Sequence, residues 1–297
     1  MSVSRRRLLT GGAALTVAAV AGADGVEDRV LPGRTWAYAH LGLDGPAGRI
    51  PDVAPGRLVS GSFVSRARLG RRVGWGVAYP PGAPRSASLP VVVVLHGRGG
   101  DHTSAFGHNL GLDRFLAQAT SRGVPPFAVA AVDGGDTYWH ARGSGEDAAA
   151  MVVGELLPLL AGQGLRARRS DRVGLLGWSM GGYGALAIAG ALGADRVAAV
   201  VAESPALWTS YDDTAPGAFD DAADFARHTV VGHPVGLRGI DVRIDCGTGD
   251  PFYPVVRDYV ASLRPAPAGG FEPGGHTMGY WRRMAPAQLA FLGHHLS

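Results

Sequence analysis

Five short runs, rich in β-branched and other apolar residues, constrain this chain more than any other feature. They are Pro90–Leu95, Phe127–Val132, Val173–Leu176, Val197–Val201 and Val242–Ile244. Nearly all of their positions are apolar, so they read as strands covered on both faces. Helically patterned segments lie between them, and strands alternating with helices fold as a parallel sheet between two helical layers. The pattern predicts an α/β protein, a three-layer sandwich with a mostly parallel central sheet. Leu58–Val64 and Gly74–Tyr79 read as its first strands, between turn signals. A chain of 297 residues has room for one large domain of this kind.

The helical segments carry their own signals. Ser144 and Asp147 have capping-box spacing, followed by an apolar face of Met151, Val152, Leu156, Leu159 and Leu160. Gly181–Gly193 is dense in Gly and Ala and can press close to the sheet, and a last helix spans about Trp281 to His294. The long connection from Pro205 to about Leu237 is expected to cap a pocket.

The first residues read differently. Ser4-Arg5-Arg6-Arg7 precedes a mild apolar run from Leu8 to Ala23 that contains Ala-x-Ala patterns. This is the form of a signal peptide over residues 1–23, and its paired arginines match the twin-arginine type. The run is too short and weak for a stable membrane span, and no Cys lies near it to take a lipid anchor. The expectation is an exported protein with an arm over residues 24–57 packed on a single domain, 58–297. All 28 basic residues are Arg, and residues 1–23 hold three of them and no acid. The remainder balances 25 acidic residues with as many arginines, so the formal charge of +3 gives no reason to seek nucleic acid. The lone Cys246 excludes an intramolecular disulfide and any cysteine-cluster metal site, and the histidines lack metal-motif spacing. Neither a metal nor a cofactor is expected.

Chemistry concentrates at Gly177-Trp178-Ser179-Met180-Gly181, directly after one apolar run and directly before the small-residue helix. G-x-S-x-G at a strand-to-helix junction is a nucleophile elbow: the glycines permit an abrupt turn that exposes the serine hydroxyl at a helix N-terminus. Such a serine needs a base, and the base needs an orienting acid, in chain order Ser, acid, His. Asp250 is the preferred acid, in a loop just past Val242–Ile244. Glu203 is the second choice, while Asp245 lies in or near the strand. His276, in a glycine-rich loop, is the preferred base over His294 and His295, which end the last helix. The loop Leu95-His96-Gly97-Arg98-Gly99-Gly100 would supply one oxyanion donor, the N–H of Arg98 or else Gly97, beside that of Met180. It has no Lys-Ser/Thr sequel, so it is not a phosphate-binding P-loop. His96 would order this loop.

Taken together, these motifs resemble the esterase family of α/β-hydrolases that includes S-formylglutathione hydrolase (esterase D) and the secreted mycolyltransferases. The likeness runs from about Gly74 to the end. It rests on the HGRGG loop, Val132-Asp133-Gly134-Gly135 with Tyr138-Trp139-His140, GWSMGGYGA, Gly247-Thr248-Gly249-Asp250-Pro251, and Gly275-His276 with Tyr280-Trp281. The resemblance implies the α/β-hydrolase fold and a triad of Ser179, Asp250 and His276. The mycolyltransferases carry glutamate as the acid, so Asp250 is closer to the esterase D pattern. The expected activity is hydrolysis of a small-molecule, lipid or sugar acyl ester, with acyl transfer to a sugar or other alcohol as the alternative. A non-catalytic surface-binding relative is the second alternative. Trp139, Trp208 and Trp281 are candidate pocket residues.

Overall fold

The computed structural model describes residues 36, 38, 40–232 and 236–296. The leader expected over residues 1–23 lies outside these. Eight strands form one sheet in the order β1-β2-β4-β3-β5-β6-β7-β8. They are β1 (Leu58–Ser65), β2 (Arg71–Ala78), β3 (Val91–Leu95), β4 (Ala128–Val132), β5 (Val173–Trp178), β6 (Val197–Glu203), β7 (Asp241–Gly247) and β8 (Ala268–Glu272). β1 and β2 pair antiparallel with each other, and β2 with β4; every other pair is parallel.

Pleat alternation divides the apolar runs between two cores. Val91, Val93 and Leu95 face one layer, together with α2, α3 and α5. Val92 and Val94 face the other, with α1 and α6. These helices are α1 (Leu112–Ser121), α2 (Ala148–Met151, a π turn over Val152–Leu156, then Leu157–Gly162), α3 (Met180–Leu192), α4 (Ala222–His228), α5 (Tyr253–Ser262) and α6 (Met278–His295). Because both faces are covered, β3 to β6 are buried along almost their whole length.

Two helix expectations need correction. Asp147, not Ser144, caps α2: its side chain accepts from Ala150 N–H at 2.8 Å, while Ser144 Oγ accepts from Glu146 N–H. The buried face of α2 includes Leu157 and leaves Leu159 only partly covered. The π turn explains the change, since its wider i→i+5 ring rotates the following residues about the helix axis. Among the described residues no helix is long and apolar enough to cross a membrane.

Candidate active site

Ser179 stands between the end of β5 and the start of α3, with φ 56° and ψ −122°. A non-glycine residue here costs about 1–3 kcal/mol and persists only when its surroundings enforce it. The two motif glycines are that enforcement. A Cβ at Gly177 would fall 2.0 Å from the Gly181 carbonyl oxygen, and one at Gly181 would fall 1.9 Å from Leu95 O. The backbone is also tied on both sides of the serine: Ser179 N–H donates to Glu203 O at 2.9 Å, and Ala206 N–H to Ser179 O at 3.0 Å.

The hydroxyl meets an imidazole. Ser179 Oγ lies 2.9 Å from His276 Nε2, and His276 Nδ1 lies 2.7 Å from Asp250 Oδ2. Asp250 is fully buried, and its other oxygen accepts from Phe252 N–H at 2.9 Å. With the carboxylate holding Nδ1–H, Nε2 is the ring atom free to take the serine proton. Rings wall the imidazole: Phe252 and Trp281 approach it edge-on, at centroid distances of 5.4 and 5.1 Å.

The other carboxylates at this sheet edge make no hydrogen bond to His276. Asp245 is paired with Arg243 at 2.8 and 2.9 Å and accepts from Gln288 Nε2 at 3.0 Å. Glu203 is wholly buried, and neither of its carboxyl oxygens has a hydrogen-bond partner. Burial, and then the nearby negative charge of Asp245, push its pKa well above the ordinary glutamate value. His295 pairs with Asp241 at 2.8 Å, away from the serine.

The loop after β3 lies against Ser179. A Cβ at Gly97 would come within 2.9 Å of Trp178 Nε1 and 3.4 Å of Ser179 Cβ. Gly99 N–H donates to Asp136 Oδ1 at 2.6 Å and Gly100 N–H to Gly97 O at 3.1 Å. The Arg98 and Gly97 amides take no such bond among the described residues. Met180 is the first residue of α3, where the N–H has no partner in the helix. His96 organises the loop from beneath: Nδ1–H donates to Gly97 O at 2.7 Å, and Nε2 accepts from Gly134 N–H at 2.9 Å. Burial lowers its pKa, which favours the neutral ring that this donor–acceptor pairing requires.

These groups border a cleft of about 410 Å³, lined by the Gly97–Gly100 loop, Ser104, Trp178, Ser179, His276, Met278 and Trp281. Of the three candidate pocket tryptophans, only Trp281 lines it. Trp139 is 1% exposed, its indole filling space left by Gly134 and Gly184, with Nε1–H donating to His96 O at 3.3 Å. It supports the loop from behind. Trp208 packs on Tyr138 and Phe252, one ring removed from His276. Among its described residues, the Pro205–Leu237 connection contributes none to the cleft lining; Trp208, Phe219 and Phe225 root it in the core instead. Pro216 O of this connection accepts from Arg98 Nη2 at 2.9 Å. Sequence reasoning missed Trp178, Phe252 and Met278, although each lies within two residues of Ser179, Asp250 or His276.

Among the described residues, two groups bring possible metal ligands together: His140–Asp224–His228 and Asp101–His102–Asp133. In the first, both His140 ring nitrogens already face carbonyl oxygens, of Ala141 and Ala218. The His140 and His228 rings stack at 4.5 Å with planes 27° apart, so their lone pairs do not converge on one ion. In the second, Asp133 is committed to the Gly74 and His102 backbone amides and to His102 Nδ1. Both are built as structural hydrogen-bond clusters.

A family model described as "Putative esterase" matches residues 66–292. The chain belongs to that esterase family. By its description this is a family of esterases, and this chain is an ester hydrolase. Solved structures share the fold at low identity. A ferulic acid esterase aligns with TM-score 0.69 and 18% identity, covering 82% of this chain and 100% of its own. An S-formylglutathione hydrolase from Agrobacterium tumefaciens gives 0.65 and 18%, covering 83% and 98%. A feruloyl esterase module from Clostridium thermocellum, complexed with sinapinate, gives 0.61 and 19%, covering 85% and 94%. A search of the curated proteins finds no match. The family and these folds agree with the α/β-hydrolase architecture expected from the motifs.

Proposed function

We propose that this esterase-family chain is an exported serine esterase that works through an acyl-enzyme on Ser179. The observation that carries the reading is the continuous relay from Ser179 Oγ through His276 to buried Asp250, at 2.9 and 2.7 Å. His276 Nε2 takes the serine proton as Oγ attacks the acyl carbon. The carbonyl π electrons move to oxygen, and the oxyanion is held between the N–H groups of Met180 and Arg98. Each such donor contributes about 2.7–4 kcal/mol in the transition state. The tetrahedral species collapses, the ester C–O bond breaks, and His276 Nε2–H gives its proton to the departing alcohol. Water then repeats the sequence: His276 accepts its proton, hydroxide oxygen bonds to the acyl carbon, and Ser179 leaves with the proton returned. Asp250 holds the imidazole in the required tautomer throughout.

The cleft also suggests the substrate. Trp178, Met278 and Trp281 present apolar and aromatic surface beside the serine, which suits esters with an aromatic or short apolar acyl group. The test is a panel of aryl, hydroxycinnamoyl and short aliphatic esters, with fluorophosphonate labelling alongside. Ser179→Ala should lose turnover by about 10⁴-fold or more and lose the label, while folding normally. A folded Ser179→Ala variant with wild-type turnover ends the reading. Product analysis with an alcohol present separates hydrolysis, which yields free acid, from acyl transfer, which yields a new ester.

A further inference from the structure

His276 sits in a loop held locally by Thr277 N–H to Gly275 O at 2.9 Å and by the Tyr280 ring against Gly274. Gly274 and Gly275 precede it, and a backbone so free of side chains depends on what packs against it. Further packing partners come from the opposite end of the chain, where Asp44 lies against Gly275. Tyr38 and residues 40–50 lie before the family match, which begins at residue 66. Even so, they touch both loops that face the serine.

We propose that this N-terminal arm is a positioning strap, which sets the loops bearing Asp250 and His276 and so governs the rate of bond making at Ser179. The proposal rests on the roles given above to those two residues. Tyr38 occupies the space over Gly249, next to Asp250: a Cβ at Gly249 would fall 2.6 Å from Tyr38 Cγ. Leu43 N–H donates to Tyr38 O at 2.9 Å and folds the arm back. The Asp44 carboxylate then lies over Gly275, where a Cβ would come within 3.3 Å of Oδ1. Further along, Gly48 N–H donates to Gly279 O at 2.7 Å, just past the histidine. No side chain fits at Gly48, since a Cβ would lie 2.1 Å from Arg283 N.

Arg283 fastens the arrangement. Its Nη1 donates to Pro46 O of the arm at 2.6 Å and its Nη2 to Pro273 O of the histidine loop. The two loops are in turn joined to each other, by Gly249 N–H to Gly274 O and Thr248 N–H to Glu272 O, both at 2.8 Å. The strap therefore bears on the acid loop, the histidine loop and the start of α6 in succession. A displacement of about 1 Å between reacting groups can cost about 100-fold in rate, whereas binding to the cleft lining tolerates it.

The experiment compares kcat, KM and fluorophosphonate labelling in wild type, Tyr38→Ala, Tyr38→Phe and Gly48→Val. An inert wild type would defeat the underlying catalytic reading, not the strap. Given an active wild type, Tyr38→Ala and Gly48→Val are expected to lower kcat by about 10- to 100-fold with KM little changed. Tyr38→Phe, which keeps the ring over Gly249, should restore the rate. Tyr38→Ala trims a half-buried side chain outside the core, so it remains readable even if Gly48→Val fails to fold. Full kcat in a folded Tyr38→Ala variant overturns the strap. So does a rise in KM at constant kcat, which would make the arm a wall of the cleft.

Discussion

The elbow that presents Ser179 and the loops that face it are held in opposite ways. The elbow is locked by backbone alone: two glycines allow carbonyls to approach within distances that any Cβ would block, and two backbone hydrogen bonds pin the strained residue between them. The acid and histidine loops hold no such strained residue, and their local backbone bonds, Tyr253 N–H to Asp250 O and Thr277 N–H to Gly275 O, are those of ordinary turns. Their geometry comes from contacts between distant segments, with Asp250 and His276 lying 26 residues apart and the bracing arm lying far before both. Rigidity in the first region comes from backbone packed on backbone, with Leu95, Glu203 and Ala206 as the partners of the short turn. In the second it draws also on side chains of a distant arm, so damage to the two regions should look different.

The largest effect on chemistry should come from the loop side. Asp250→Asn leaves volume and most hydrogen bonding in place but offers an amide to His276 Nδ1, which favours the wrong tautomer. A loss of about 10⁴-fold in kcat is expected, with the melting temperature near that of wild type. Turnover within tenfold of wild type would show that Asp250 is not the orienting acid. The elbow should fail by a different route. Gly181→Ala places a methyl group 1.9 Å from Leu95 O, a contact that only backbone movement can relieve. We expect a stability loss of about 3 kcal/mol or more, measured by denaturant unfolding, together with lost activity. Wild-type stability in that variant would mean that the close approach is not what shapes the turn.

The same contrast explains what could be read from the sequence. The elbow was legible because its physical requirements fall within five consecutive residues, Gly177 to Gly181, flanked by a strand and a helix. The parallel strands were legible because continuous apolar runs such as Val91–Leu95 have no other stable place than a sheet covered on both faces. Asp250 could be preferred to Asp245 because a strand residue points into a flanking layer, where Asp245 meets Arg243 and Gln288. The lining of the cleft was not legible in this way. Trp139, Trp208 and Trp281 look alike in sequence, and only tertiary packing turns one toward the serine and the others inward. The π turn in α2 was invisible too, because it changes the helical phase without any marker residue. Tyr38 over Gly249 is a contact between segments more than 200 residues apart, and no motif announces it.

A smaller effect should distinguish the tryptophans. Trp281→Ala removes an aromatic wall from the cleft and a flanking ring from His276. It is expected to raise KM for aryl esters by about tenfold, as burial of about one ring's worth of apolar surface is lost. Trp208→Phe, one ring behind, should leave KM unchanged. Equal effects from both substitutions would remove the distinction between lining and support.

The smallest effect concerns Glu203, the third carboxylate of this sheet edge and the one in neither kind of lock. Because burial raises its pKa in the fold, the folded state keeps a proton that the unfolded chain releases once pH passes the ordinary value of about 4.3. Stability contributed by the protonated group is therefore complete below that value. It is lost as pH rises toward the raised pKa, at a limiting slope of about 1.4 kcal/mol per pH unit. Glu203→Gln keeps the shape, removes the titration and so removes the slope. The variant should gain stability over wild type by about 1 kcal/mol or more at pH 8, and much less at pH 5. Thermal melts at the two pH values read this directly. An equal difference at both would show that Glu203 is solvated or paired in the folded protein. Asp250, by contrast, is held by His276 and the Phe252 amide.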